Sequence, residues 1–188
     1  MWVERGDASA GGKIVFSSTF DAVVDAGAEE DAPADARTAL FNAAVSPAVK
    51  AAIDGRLGCV LCVGSGGDKR QAILEACGEL GLPSLLAAAE DRGLGLTVCG
   101  LHLFFERLSD LLEEGRPIEG PPPAATGGGT LPGLMGATAR AISSAADGAA
   151  LLSSLATACA AIEERSVGCA GGGHLAVQLA LHENGGSG

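Results

Sequence analysis

A glycine cluster, Gly64-Ser65-Gly66-Gly67, separates the apolar run Cys59-Val60-Leu61-Cys62-Val63 from a segment of helical character at Gln71–Leu80. An apolar run entering a glycine turn that opens a helix is the setting of a phosphate-binding loop. Backbone N–H groups and the positive end of the helix attract anions there. The side chains do not complete that chemistry. The pattern G-x-x-x-x-G-K-[ST] needs a glycine before the lysine and a hydroxyl after it, to hold Mg²⁺. Here Asp68 precedes Lys69, and Arg70 and Gln71 follow it. In either register the Mg²⁺-holding hydroxyl is missing, and Asp68 would set a carboxylate beside any bound phosphate. The residues that would form a vestigial phosphate loop are Gly64, Gly67, Lys69 and Arg70.

The chain has 188 residues, enough for one domain with a real core. Hydrophobic residues make up 47%, but much of that is alanine, and aromatics reach only 3%. Large side chains supply most of the burial energy, so stability per residue is expected to be modest. The net charge of −11 argues against nucleic acid or an anionic membrane as a partner. The N-terminus has no signal-peptide core, and the low-charge stretch 149–162 is short and alanine-rich for a membrane span. A soluble cytoplasmic protein is the expectation. Cys59 and Cys62 form a C-x-x-C, but three residues apart on a strand they would face opposite ways. The other four cysteines have no zinc spacing. All six are expected to be buried and reduced, and no metal site is expected.

Along the chain, Lys13–Phe20 reads as a strand and Asp25–Asp35 as an acidic loop. A helix from about Ala36 places Phe41, Val45, Val49, Ala52 and Ile53 on one stripe, with Pro47 starting a new turn or kinking it. The strand Cys59–Val63, the glycine loop and the helix 71–80 follow. Leu94–Leu103 is a strand, and residues 120–133 form a mobile Pro/Gly loop. Ser144-x-x-Asp147 is a capping box for a helix with Leu151, Leu155, Cys159 and Ile162 on one face. A last strand, Leu175–Leu181, precedes a flexible tail at 183–188. His102 reads as a satisfied core or edge histidine. His182-Glu183 reads as a strand end, and Glu113-Glu114 and Glu163-Glu164 as solvated faces. Strands alternating with helices define a single α/β domain, with its core at about residues 13–182.

These segments resemble, in order and spacing, the kinesin motor domain. Phe20-Asp21-Ala22-Val23-Val24 is similar to that family's Phe-Asp-x-Val-Phe. Pro47-Ala48-Val49, Asp54-Gly55 and residues 59–64 follow its Pro-Leu-Val…Gly-Tyr-Asn-Ala-Thr-Ile-Phe-Ala-Tyr-Gly without a gap. His102-Leu103-Phe104-Phe105-Glu106-Arg107-Leu108-Ser109-Asp110-Leu111-Leu112 resembles Glu-Ile-Tyr-Asn-Glu-x-Val-x-Asp-Leu-Leu. Gly81-Leu82-Pro83 sits at its Gly-Ile-Ile-Pro, and Leu131–Cys159 at the helix before the first switch. Ala170-Gly171-Gly172-Gly173-His174 falls at Ser-Ser-Arg-Ser-His.

The resemblance implies a three-layer sheet related to P-loop NTPases, with helices on both faces and apparently incomplete. Its second switch would lie beyond the chain's last residue. In the family the strand leading into that switch separates the phosphate-loop strand from the one after the first switch, so a gap in mid-sheet is expected. The first-switch serines and arginine are replaced by Ala170 and glycines, leaving only His174. The expected function is therefore a non-catalytic, kinesin-like structural or protein-binding module on a microtubule-based or ciliary assembly. ATP and Mg²⁺ would serve as ligands only if the site were retained. Expected partners are proteins, one of them completing the sheet, with tubulin implied by the resemblance alone. Two alternatives stand beside it: an ATP-dependent microtubule motor domain, truncated, and an unrelated α/β protein-interaction domain.

Overall fold

A computed structural model describes residues 2–3, 18–19, 34–63, 67–119, 136–165 and 173–183. The expected loop at 120–133, the tail from 184, Gly64 and residues 170–172 lie outside the described residues. So does most of the expected strand 13–20. Its Ser18–Thr19 (β2) pairs antiparallel with Trp2–Val3 (β1).

The first helical region runs from α1 (Ala34–Leu40) through a π-helical turn, Phe41–Val45, into α2 (Ser46–Ile53). The second repeats that form, from α3 (Gly67–Ala76) through the π turn Cys77–Gly81 into α4 (Leu82–Arg92). In both, a proline stands two residues beyond the π turn, at Pro47 and Pro83. A proline offers no N–H to the carbonyl four residues back and its ring presses on that carbonyl. The widened turn absorbs the conflict, with Ser46 N–H bonded to Phe41 O and Leu82 N–H to Cys77 O. Pro47 thus widens its helix without ending it, and the helix expected at 71–80 extends to Arg92.

Gly93, at φ +65°, closes α4 in the left-handed conformation and starts β3 (Leu94–Phe104). β3 is the centre of the main sheet. β7 (His174–Glu183) lies antiparallel along one side of it, in register from Leu94↔Glu183 to Leu103↔His174. On the other side lie β4 (Arg107–Asp110) and β6 (Arg140–Ala141), with β5 (Arg116–Ile118) beyond β4. All pairings among the described residues are antiparallel. Asp110 is fully buried and accepts from the backbone N–H of Leu112 (3.0 Å) and Thr138 (2.6 Å), tying β4 to the segment before β6.

α5 (Ala145–Arg165) starts as its capping signature predicts. Asp147 N–H donates to Ser144 Oγ at 3.1 Å, while the Asp147 carboxylate accepts from Ser143 rather than Ser144. Leu152 and Leu155 of α5, Leu82 and Leu85 of α4, and Val45 and Val49 of the first helical region meet Leu96 and Val98 of β3 in the main core. Gly100 on the same face lets Leu155 approach; a Cβ there would lie 2.5 Å from Leu155 Cδ2. The opposite face of β3 carries Cys99 and Leu101, packed with Ala137. The molecule is a mixed α/β protein. Segments 70–92 and 145–165 are each long and apolar enough to cross a membrane. Both contribute leucines to the core under the sheet.

One expected strand is corrected. Residues 57–63 form no ladder and are largely exposed, with Leu57 at 94%, Leu61 at 83% and Val63 at 80%. An apolar run becomes a strand only beside a neighbour that takes its hydrogen bonds. Among the described residues none lies there. Cys59 and Cys62 are accordingly exposed, against the expectation of burial, whereas Cys99 and Cys159 are buried.

Candidate functional site

The first turn of α3, the C-terminal end of β3 and the last turns of α5 converge on one cluster: Arg70, His102, Cys159 and Glu163. Position 102 shares a face of β3 with Leu96, Val98 and Gly100, which turns its imidazole towards the helices. Cys159 and Glu163, four residues apart, stand one above the other on α5. Arg70 meets Glu163 fork to fork, with Nη1 donating to Oε1 at 3.0 Å and Nη2 to Oε2 at 3.1 Å. Both side chains are less than a quarter exposed (23% and 17%), so the pair is weakly screened.

The electrostatics follow from this contact. The hydrogen bonds from Arg70 hold the Glu163 carboxyl below its ordinary range, and those same bonds raise Arg70. Burial pushes the Cys159 thiol up to about 12, and the thiol donates to Glu163 Oε1 across 3.6 Å. Burial lowers His102. His102 is 4% exposed and its Nε2 has no hydrogen-bond partner. Gly173 passes beside that nitrogen so closely that a Cβ there would fall 2.0 Å from Nε2. The donor atoms of His102, Cys159 and Glu163 all lie within 4.8 Å of one another.

Of the four residues of the expected phosphate loop, Gly64 lies outside the described residues and Gly67 opens α3. Lys69 sits on the first turn of α3, its side chain outside the description. Arg70 is joined to Glu163. The structure therefore gathers a different set from the one the sequence suggested. Glu163 is half-buried and paired, not a solvated face, and His102 is buried but unsatisfied. The available signal was the i, i+4 pair Cys159/Glu163 at the margin of an apolar stripe. Its partners, 57 and 93 residues away from one or other member (159 to 102, 163 to 70), could not be read from spacing.

Compared with protein families, with curated proteins and with solved structures, the chain matches nothing.

Proposed function

We propose that this chain is a non-catalytic, kinesin-like structural and protein-binding module, part of a cytoplasmic microtubule-based or ciliary assembly. The observation that carries the proposal is the Arg70–Glu163 pair. In the gapless register the cation at the lysine position of the phosphate loop is Arg70, which is held by a carboxylate within the fold. Phosphoryl transfer relies on positioning and on Mg²⁺, and a guanidinium already neutralised supplies neither. The kinesin ancestry and the microtubule setting rest on the sequence resemblance.

The binding role is supported by two apolar features. The outer edge of β7 has no strand beside it among the described residues, and residues 57–63 present Leu57, Leu61 and Val63 to solvent. In a kinesin-like sheet one strand would lie between these two segments. A partner protein's strand in that place would pair with both and fill the mid-sheet gap that the resemblance implies. The net charge of −11 supports protein partners over nucleic acid or an anionic membrane. A second reading, an α/β interaction domain of separate ancestry, is favoured by residues 59–63 lying outside any ladder.

Titration with a fluorescent ATP analogue, with and without Mg²⁺, tests the proposal. The expected result is no binding up to millimolar nucleotide. Mg²⁺-dependent binding that disappears in Arg70→Ala would overturn it.

A further inference from the structure

We propose that His102, Cys159 and Glu163 form a binding site for a divalent transition-metal cation of the zinc class, joining β3 to α5. The site is independent of whether a nucleotide binds. The first observation is the orphaned Nε2 of His102, buried without a partner. A buried polar nitrogen left unpaired costs about 1–3 kcal/mol, and such atoms in a folded protein call for a water or an ion. The second is the convergence on that imidazole of a thiol and a carboxylate from one helix face.

The spacing suits tetrahedral coordination. With metal–ligand bonds of about 2.0–2.3 Å, neighbouring donors stand roughly 3.3–3.8 Å apart. Cys159 Sγ and Glu163 Oε1 are 3.6 Å apart, and His102 completes the triangle within 4.8 Å. Gly173 closes one side of Nε2. One imidazole, one thiolate and one carboxylate make a borderline-soft set, suited to Zn²⁺ and poorly to Mg²⁺ or Ca²⁺. With three protein donors, a water would take the fourth position.

Arg70 sets the terms of binding. A cation on Oε1 displaces Nη1, while Nη2 keeps its bond to Oε2 and orients the carboxylate from behind. With Arg70 retained, the loaded site carries one net positive charge, that of the guanidinium behind Glu163. The cation bonds to Cys159 sulfur, whose proton leaves to solvent, and the added thiolate and Glu163 offset the metal's two charges.

The test is titration of the full chain, stripped with chelator, with Co²⁺ followed by Zn²⁺. The expected result is one Co²⁺ per chain with a thiolate-to-cobalt charge-transfer band, which Zn²⁺ abolishes by displacement. That band should vanish in Cys159→Ala, weaken at least tenfold in affinity in His102→Gln, and survive in Cys59→Ser/Cys62→Ser. Circular dichroism establishes that each variant is folded, and His102→Gln decides the matter if Cys159→Ala is not. No Co²⁺ binding by the wild-type chain would overturn the proposal. So would a band that persists undiminished in His102→Gln or that follows Cys59 and Cys62.

Discussion

Arg70 and Glu163 join a residue of the glycine-loop motif to the end of a distant helix through one contact. In the sequence Arg70 belongs to a glycine loop and Glu163 to the polar end of a helix. In the fold they share two hydrogen bonds in a partly dry setting. Removing either partner leaves the other charge half-buried. Arg70→Ala is therefore expected to destabilise the chain by about 2 kcal/mol, below the full cost of a deeply buried pair because water still reaches it. Arg70→Lys should recover less than half of that, since an ammonium cannot reproduce the fork. Urea unfolding of the three proteins checks both. A second residue-scale prediction concerns Cys77, whose thiol burial pushes from its ordinary 9.0 up to about 11. The folded chain then holds a proton that the unfolded chain releases. Its contribution is complete below pH 9 and is lost as pH rises from about 9 to 11, on the order of 2 kcal/mol. The urea midpoint should fall across that window and fall less in Cys77→Ala. Cys159, pushed up to about 12, adds its own fall from pH 9 upward, so the difference between wild type and Cys77→Ala isolates Cys77.

At the scale of elements, periodicity read the helices and the two long strands well. The stripe Val45, Val49 and the stripe Leu155, Cys159 are buried as their spacing predicts, and β3 and β7 cover the two expected apolar runs. It failed at Cys59–Val63, because a strand is defined by its neighbour and not by its own composition. It was also silent on the π turns, which reflect a proline placed where packing keeps the helix going. Gly100 marks where α5 presses onto the sheet. Gly100→Ala would drive a methyl to 2.5 Å from Leu155 Cδ2 and should cost about 1–3 kcal/mol by overpacking. Leu155→Val removes part of the obstruction. The double variant should therefore be more stable than the sum of the two single effects, as a double-mutant cycle in urea would report.

At the scale of the whole molecule, a mixed α/β class was legible in the sequence, but the antiparallel order of the sheet and the assembled cluster were not. Its members come from α3, β3 and α5, and only tertiary packing brings residues 70, 102 and 159–163 together. The same packing leaves β7 with an unpaired edge among the described residues and residues 57–63 without a ladder. On these grounds we propose a scaffold whose Arg70–Glu163 pair is used within the fold and whose β7 edge is unpaired among the described residues. Amide hydrogen exchange of the whole chain, with and without Mg²⁺ and ATP, tests this most directly. We predict fast exchange at alternate amides of β7, slow exchange at those bonded to β3, and no change anywhere on adding Mg²⁺ and ATP. Nucleotide-dependent protection at residues 67–70, accompanied by altered exchange around Glu163, would contradict it.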